Sequence, residues 1–214
     1  VHLHGGRAGS TEIEKMTQAM AHRGPDGKGV WTHESVGLGH RRLAILDLSE
    51  SGAQPMHYAG YTITFNGEIY NFRELRTELE ESGHVFESSS DTEVILHAYA
   101  QWGSDCIERL NGMFAFAIWD NSTRSLFIAR DRYGIKPLYY AVFNKHFLFA
   151  SEQKAILHHP VARKHVDYEA LLEYFTFQNL FTNKTLIRDI QLFPAGHFLL
   201  IRNQGQDMLW HRYW

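Results

Sequence analysis

The sequence predicts an α+β fold in which two stacked, mainly antiparallel β-sheets are flanked by helices. Short apolar strands separated by turn residues dominate residues 30–65 and 112–152, and helical patterns lie before, between and after them. Several of these strands are apolar on both faces, which is typical of a sheet that is covered on both sides. At 214 residues the chain is long enough for a sizeable core, and residues 1–214 are predicted to form one domain.

The N-terminal part is predicted to begin with a helix and to continue with strands. Thr11 and Glu14 are spaced as a capping box, and Ile13, Met16 and Met20 then recur on one helical face. The loop "HRGPDGKG", rich in glycine and charge, ends this helix. The stretches "VGLGH", "RLAIL" and "YTITF" are predicted to be the strands that follow.

Two helices are predicted in the middle of the chain. One covers residues 71–82, with Asn71 as its cap and Gly83 after its end. The other begins at a cap at Ser90 or Asp91 and runs through "TEVILHAYAQW".

The C-terminal part is predicted to be rich in strands. The stretches "GMFAFAIWD", "SLFIARD", "PLYYAV" and "FLFASE" are each about one strand long and are separated by turn residues. A helix is predicted at "YEALLEYFTF", and a last pair of strands near "LIRDIQLF" and "GHFLLIRN".

Charge and cysteine content limit the possible partners. The formal net charge of -3 gives no electrostatic case for nucleic acid or an anionic membrane, so small-molecule or protein partners are expected. One cysteine, Cys106, leaves no internal disulfide framework, and it fits an apolar helical face with Ile107 and Leu110. The chain shows neither an apolar run that could span a bilayer nor an opening signal segment, and a cytoplasmic location is predicted.

The 14 histidines raise the hypothesis of a metal site. They are scattered along the chain and include His2, His22, His40, His57, His84 and His97. They form no His-x-x-x-His pair with a carboxylate on a convincing helical face, and the adjacent His158 and His159 point in different directions on a helix. No metal site is therefore predicted. The sequence also lacks a Gly-x-Ser-x-Gly elbow, a P-loop and a dinucleotide fingerprint.

Polar residues at predicted strand and helix ends are the strongest candidates for a site. They are Arg42 before "LAIL", Asn66-Gly67-Glu68 after "YTITF", Asp91 at a helix start, and the loop "HRGPDG". Each also has a structural interpretation: Arg42 could form a surface ion pair, Asn66-Gly67 could be a hairpin turn, and Asp91 could be only a helix cap.

Taken together, these residues match a free amino acid with an amide side chain. A guanidinium can hold the α-carboxylate in a bidentate fork, and a carboxylate can hold the α-ammonium. An Asn side chain and a neighbouring Gly N–H can stabilise the oxyanion that forms when the amide carbonyl is attacked. These residues do not include a nucleophile.

The motifs resemble the class II, N-terminal-nucleophile glutamine amidotransferase domain of glutamine-hydrolysing asparagine synthetases. The matching stretches are "HRGPDGKG", "GHRRLAILDLS", "GAQPM", "NGEIYNFRELR", "SDTEVILHAY", "RLNGMFAFAIWD", "LFIARDRYGIKPLYY" and "FASEQKAIL". Other class II amidotransferases share the fold and the Asn-Gly pair, but "HRGPD", "RLAI" and "NGEIYN" are similar to the asparagine synthetase branch. The resemblance implies a four-layer αββα sandwich.

The resemblance also implies a role for each candidate residue. Arg42 would hold the glutamine α-carboxylate, and the Asn66 side chain with the Gly67 N–H would form the oxyanion hole. Glu68 and Asp91 would hold the α-ammonium. The adjoining wall would be formed by Leu43, Ala44, Ile45 and Leu46, and the loop from His22 to Asp26 would shape the pocket.

In this family the nucleophile is the N-terminal cysteine of the mature protein, with its own α-amine as general base. Val1 corresponds to the middle of the family's first strand, so the segment that holds this cysteine is expected to precede it. Cys106 aligns with a helical core position and cannot replace it. Taken literally, the chain is therefore expected to be inactive alone, and a degenerate, non-catalytic glutamine-binding or docking module remains the alternative.

The implied reaction is hydrolysis of L-glutamine to glutamate and ammonia for the ATP-dependent amidation of a carboxylate, with aspartate as the expected acceptor. This domain is expected to need no cofactor, whereas ATP and Mg²⁺ are expected in a C-terminal synthetase domain. That synthetase domain is the expected partner, and a homodimer is also considered.

Overall fold

The computed structural model describes residues 1–3, 5–43 and 52–214. The helices of the described part are α1 (Ser10–Gln18), α2 (Phe72–Glu81), α3 (Asp91–Trp102), α4 (Cys106–Arg109), α5 (Gln153–Ile156) and α6 (Tyr168–Phe177). Its strands are β1 (Gly27–His33), β2 (Val36–Arg42), β3 (Met56–Tyr58), β4 (Tyr61–Ile69), β5 (Gly112–Asp120), β6 (Ser125–Arg130), β7 (Tyr139–Phe143), β8 (His146–Ala150), β9 (Ile190–Leu192), β10 (His197–Arg202) and β11 (Asp207–Arg212).

The strands form two β layers. One is a six-stranded antiparallel sheet with the order β11-β10-β6-β5-β4-β3. The other combines the three-stranded sheet β8-β7-β9 with the hairpin β1-β2. Residues 1–3 link these two parts, because the His2 N–H donates to the Ser35 carbonyl at 2.7 Å and the Leu3 N–H donates to the Lys145 carbonyl at 2.6 Å.

Three apolar cores separate four layers. Helices α2, α3 and α4 cover one face of the six-stranded sheet, with a core that includes Ile63, Phe65, Leu79, Ile95 and Cys106. The second core lies between the β layers and includes Leu38, Ala117, Ile128, Phe147 and Leu199. The third packs β7, β8 and β9 against α5 and the end of α1, and includes Phe143, Leu148, Ile156 and Ile190. The predicted α+β sandwich with flanking helices is confirmed.

Most predicted elements are present with nearly the predicted bounds. The stretch "GMFAFAIWD" forms β5, and burial of both of its faces confirms a sheet covered on both sides. Helix α6 coincides with "YEALLEYFTF". Helix α3 is capped by Ser90, whose Oγ accepts a hydrogen bond from the Thr92 N–H at 3.1 Å. Cys106 is a fully buried, free thiol beside Ile107, as predicted.

The predicted cap of α1 is wrong, and the predicted cap of α2 is confirmed in position but makes no capping hydrogen bond with its side chain. Helix α1 begins at Ser10 after Gly9, and it has no side-chain cap, so Thr11 lies inside the first turn rather than before it. Asn71 does precede α2, but its side chain donates to the Arg109 carbonyl and accepts the Asn111 N–H, both at 2.9 Å. The Asn71 amide therefore forms hydrogen bonds with residues distant in the sequence instead of with the first turn of α2.

The C-terminal strands also pair differently from the prediction. The last two predicted strands, β9 and β10, do not pair with each other: β9 lies beside β7, and β10 lies between β6 and β11. Strand β11 was not predicted, because its side chains are mostly exposed and lack an apolar alternation. Of the predicted strand "RLAIL", Arg42 belongs to β2, and residues 44–46 lie outside the described residues.

Candidate active site

Asn66, Gly67 and Glu68 lie inside a regular strand, so the predicted strand end at these residues is wrong, and so is the alternative of a hairpin turn. Strand β4 continues to Ile69, and it pairs the three residues with Ala115, Phe114 and Met113 of β5. Neither Asn66 nor Gly67 has a positive φ. Nine residues of long-range pairing with β5 override the local turn preference of an Asn-Gly pair.

The alternation of β4 divides its side chains between core and pocket. Phe65 and Ile69 pack in the core beneath α2 and α3. Asn66 and Glu68 project from the opposite face and line a cavity between the β layers. Ala115, the partner of Asn66 on β5, has a small side chain and leaves space beside the amide.

The edge of β4 that faces away from β5 carries the backbone donors of the site. Strand β3 pairs with β4 only as far as Ile63. Beyond it, the Phe65 N–H donates to Gln54 Oε1 at 2.6 Å, and the Ile69 N–H donates to Asp91 Oδ2 at 3.0 Å. Because peptide groups alternate in direction along an antiparallel strand, the Gly67 N–H points to this same edge, between those two.

Glycine at position 67 is a steric requirement. A Cβ there would lie 2.2 Å from the Met113 carbonyl oxygen and 2.8 Å from the Phe114 Cα, both backbone atoms of β5. The neighbouring strand is held at this point by Asp131, whose N–H donates to the Phe114 carbonyl at 2.8 Å and whose Oδ2 accepts the Phe114 N–H at 3.2 Å. Glycine is thus required here because it lacks a Cβ and lets two backbones approach closely, and not because the backbone needs a positive φ.

Arg42 and Leu43 lie at the end of β2, on the rim of the same cavity. Arg42 is half-buried and pairs with Gly27 of β1, and its carbonyl accepts the Asp26 N–H at 3.0 Å. Leu43 is 56% exposed. The other predicted wall residues, Ala44, Ile45 and Leu46, lie outside the described residues.

Asp91 is the first residue of α3 and is buried, with 6% of its surface exposed. The pKa of its carboxyl is raised to about 6, chiefly by burial and also by the Glu68 charge, while the hydrogen bond from the Ile69 N–H opposes the shift. Glu68 is half-buried. Two carboxyl groups whose charges repel each other form a site that a cation would stabilise.

The cavity holds about 450 Å³, a size typical of small-molecule sites. Its polar part is lined by Arg42, Asn66, Gly67, Glu68 and Asp91. Its apolar part is lined by residues that include Val1, Ile13, Met16, Leu138 and Phe149. All the described residues with predicted site roles therefore meet in one cavity, together with the N-terminal segment.

The loop from His22 to Asp26, which was predicted to shape the pocket, reaches this cavity through Arg23. Arg23 lines the cavity, and both His22 and Arg23 contact Glu152 before α5, at 2.8 and 3.3 Å. The Arg41 Nε donates to the Gly24 carbonyl at 3.0 Å, which ties the loop to β2.

Two polar residues of the site were missed by the sequence analysis. Gln54 and His40 both line the cavity and both bind the backbone of Phe65. His40 Nε2 lies 3.1 Å from the Phe65 carbonyl, which can only accept, so this nitrogen carries the proton. Burial lowers the pKa of His40 to about 4, which keeps the ring neutral near pH 7. A glutamine beside a proline and a histidine beside an arginine give no signal of this contact in the sequence.

The remaining candidate chemistry is reported for the described residues. No group of three or more His, Cys, Asp or Glu side chains in residues 1–3, 5–43 and 52–214 is arranged to hold a metal ion. Burial raises the pKa of the Cys106 thiol, which keeps it protonated in its core. Within the same ranges, the helices are too short or too polar to cross a membrane.

Comparison with solved structures supports the same fold. The structure of glutamine phosphoribosylpyrophosphate (PRPP) amidotransferase from Bacillus subtilis, complexed with ADP and GMP, superposes with a TM-score of 0.70. The match covers 98% of this chain and 48% of that protein, at 20% sequence identity. At this identity the likeness concerns the fold alone.

Comparison of sequences gives the family. The chain is 45% identical over 207 residues to "Asparagine synthetase [glutamine-hydrolyzing] 3" of Bacillus subtilis strain 168, covering 94% of this chain and 33% of that protein. It is 44% identical over 197 residues to "Asparagine synthetase [glutamine-hydrolyzing] 1" of the same organism, covering 90% and 30%. The chain thus spans about a third of the length of these relatives.

A family model described as a glutamine amidotransferase domain matches residues 2–214. This chain therefore belongs to the glutamine amidotransferase domain family, as the resemblance of its motifs predicted.

Proposed function

We propose that this chain is the glutaminase domain of an asparagine synthetase-like enzyme and that its cavity binds L-glutamine. The observation that carries the proposal is the Asn66 side chain. Its Nδ2 is buried and has no hydrogen-bond partner among the described residues, although it lines an open cavity. A buried amide donor without a partner costs free energy unless a ligand accepts from it.

The Asn66 Nδ2 and the Gly67 N–H supply two donors on one segment of β4. The carbonyl oxygen of the glutamine side chain would lie between them and would gain negative charge when its carbon is attacked. Because both donors are held by the strand before the reaction begins, they need no reorganisation in the transition state. This arrangement supports the oxyanion hole that the resemblance implies.

The two ends of the amino acid would be held by opposite charges. Arg42 on the rim would pair with the α-carboxylate in a bidentate fork. Glu68 and Asp91 would surround the α-ammonium, and this positive charge would offset both the burial and the Glu68 repulsion that raise the pKa of Asp91. Leu43, with the segment of Ala44, Ile45 and Leu46, would form the apolar wall beside the substrate stem.

The reaction needs a nucleophile, and we assign it to the N-terminal cysteine of the parent protein, preceding Val1. Its α-amine would take the thiol proton, and the thiolate would attack the glutamine amide carbon. Collapse of the tetrahedral intermediate expels ammonia, with the proton delivered to the leaving nitrogen, and leaves a glutamyl thioester. Water then hydrolyses the thioester to glutamate. Val1 lines the cavity, which supports an approach of the nucleophile from this side.

The ammonia would serve the amidation of a carboxylate, with aspartate as the proposed acceptor. The names of the two Bacillus subtilis relatives support this acceptor, and ATP and Mg²⁺ would act in the synthetase domain of the parent protein. A cytoplasmic location is part of the proposal, and the free thiol of Cys106 is compatible with a reducing compartment.

The proposal is tested with the full-length parent protein. It should release ammonia from L-glutamine but not from 4-carbamoylbutanoate, which keeps the amide and lacks the α-ammonium. Arg42→Lys should raise the KM for glutamine more than it lowers kcat, because a point charge replaces a bidentate fork. Glutamine binding by calorimetry without glutamate release would instead establish a non-catalytic glutamine-binding module, and absence of both would overturn the proposed site.

A further inference from the structure

Gln54 joins the two elements that carry the candidate site. Its Oε1 accepts the Phe65 N–H of β4 at 2.6 Å, and its Nε2 donates to Thr92 Oγ1 of α3 at 3.2 Å. Phe65 precedes Asn66, and Thr92 follows Asp91. We propose that Gln54 is a positioning residue that fixes the proposed oxyanion donors relative to the proposed ammonium-binding carboxylate. This inference rests on the proposed glutaminase function.

At the edge of β4, the Gln54 side chain makes a hydrogen bond that a neighbouring strand would otherwise make. The ladder between β3 and β4 ends at the Met56–Ile63 pair, so the backbone groups of Phe65 have no strand beside them. Gln54 accepts from the Phe65 N–H, and His40 Nε2 donates to the Phe65 carbonyl. Side chains thus complete the hydrogen bonding of β4 one residue before the oxyanion pair, and the next outward-facing peptide N–H, of Gly67, remains directed into the cavity.

The backbone of Gln54 is itself held in place. A Cβ on Gly29 of β1 would lie only 2.0 Å from the Gln54 carbonyl oxygen, so the two backbones are in close contact. The amide of Gln54 therefore extends from a supported backbone. Because the Gln54 oxygen and nitrogen are both already hydrogen-bonded to protein, Gln54 acts through Phe65 and Thr92.

The kinetic test compares three variants of the full-length parent protein. Gln54→Met keeps the length of the side chain and removes both hydrogen bonds, and we expect kcat for glutamine hydrolysis to fall about 10- to 100-fold, since small displacements of oxyanion donors are costly. KM should change much less than kcat, because the loss concerns the transition state. Gln54→Glu keeps the acceptor for Phe65 and can accept from the Thr92 hydroxyl, so it should recover a large part of kcat.

Gln191→Met is the matched control. Gln191, the exposed residue of β9, accepts a hydrogen bond from the Tyr140 hydroxyl at 2.5 Å and does not line the cavity. This variant should keep the kcat of the wild type. An equal loss in both Met variants, or a kcat of Gln54→Met equal to that of the wild type, would overturn the positioning role.

A second readout does not depend on activity. Amide hydrogen exchange at Phe65 should be about ten times faster in Gln54→Met than in the wild type and should be unchanged in Gln191→Met, since one hydrogen bond is worth about a factor of ten in local opening. Unchanged exchange at Phe65 overturns the inference even in an active enzyme. If the two variants show this exchange pattern but the wild-type parent protein hydrolyses no glutamine, the proposed function is overturned, and with it the catalytic consequence assigned to Gln54.

Discussion

The Asp91 carboxylate accepts the Ile69 backbone N–H at 3.0 Å, so the first residue of α3 closes the open edge of β4. The contact brings a buried acidic group to the end of the strand that carries Asn66, Gly67 and Glu68. It fixes the spacing between the donors of the proposed oxyanion hole and one of the two carboxyl groups proposed to bind the substrate ammonium.

Asp91→Asn removes the negative charge of the side chain and keeps its hydrogen-bond acceptor. The amide oxygen can still accept the Ile69 N–H, but it cannot pair with an ammonium or repel Glu68. We expect the KM for glutamine to rise in this variant. In the wild type, the KM should also rise as the pH falls below about 6, where Asp91 becomes protonated. This pH dependence should be absent in Asp91→Asn, and steady-state assays between pH 5 and 8 check both results.

The same substitution should change the pH dependence of stability. The folded pKa of Asp91, about 6, lies above its unfolded value of about 3.9. The folded state therefore favours the protonated carboxyl. The contribution of Asp91 to the free energy of unfolding is complete below pH 4 and is lost as the pH rises through 6. Asp91→Asn should remove this loss of stability, which amounts to about 2 kcal/mol between pH 4 and 7.5. Urea unfolding is the measurement, and Asp105→Asn on the exposed surface is the control, in which the pH dependence should not change.

Asn66→Ala removes one of the two proposed oxyanion donors. We expect kcat for glutamine hydrolysis to fall by about 10²- to 10³-fold, or about 2.7 to 4 kcal/mol, because such a donor acts mainly in the transition state. The free energy of unfolding should not fall, since the Nδ2 has no partner among the described residues to lose. Asn183→Ala, on the exposed surface, is the control, and normal turnover in Asn66→Ala would refute the assignment.

Gly67→Ala tests the close approach of β4 and β5. The added methyl carbon would lie 2.2 Å from the Met113 carbonyl oxygen, so the strands must separate locally. We expect a destabilisation of about 1 to 3 kcal/mol in denaturant unfolding. Gly27→Ala is the matched control, because a Cβ there would meet nothing closer than the Arg42 Cβ at 3.4 Å. Equal stabilities of the two variants would contradict the steric requirement.

His97 should make the fold sensitive to acid. Its ring is fully buried, stacks on Tyr58 and Phe86 with centroids 3.7 and 4.1 Å away, and burial lowers its pKa to about 4. The unfolded chain takes up the proton first, near pH 6.5, so the stabilising effect is present above pH 6.5 and is lost as the pH falls towards 4.

His97→Phe keeps a flat ring in this position and removes the titrating group. The loss of stability between pH 6.5 and 4 should then be about 3 kcal/mol smaller than in the wild type. His165→Phe, on the exposed surface, is the control and should keep the acid sensitivity of the wild type. Thermal unfolding at several pH values measures the difference, and an unchanged acid sensitivity in His97→Phe would argue against a buried neutral ring.

Elements with strong local patterns could be predicted from the sequence. The continuous apolar run of β5 and the periodic helix α3 with its Ser90 cap are specified by residues next to each other in the chain. The residues of the candidate site could be named because each carries a distinctive chemical group. Their grouping in one cavity depends on contacts between residues that are distant in the sequence. It could be predicted only because together they match the groups of one amino-acid ligand and because the motifs resemble a known family.

The wrong and missing predictions share a physical cause. The Asn66-Gly67 turn and the Thr11 cap were inferred from local preferences, which the pairing of β4 and the packing of α1 override. Strand β11 is held by β10 and has no apolar pattern of its own. The roles of Gln54 and His40 depend on hydrogen bonds across 11 and 25 residues, and such bonds leave no trace in sequence spacing.

The alternation of β4 makes this strand intolerant of length changes. Its nine residues supply core side chains such as Phe65 on one face and cavity side chains such as Asn66 on the other. Deleting or inserting a single residue before Phe65 would exchange the two faces, placing aromatic rings in the cavity and amide and carboxyl groups beneath α3. Core packing and the proposed binding of glutamine therefore depend on the same register of one strand, and the surrounding loops tolerate changes of length better than β4 does.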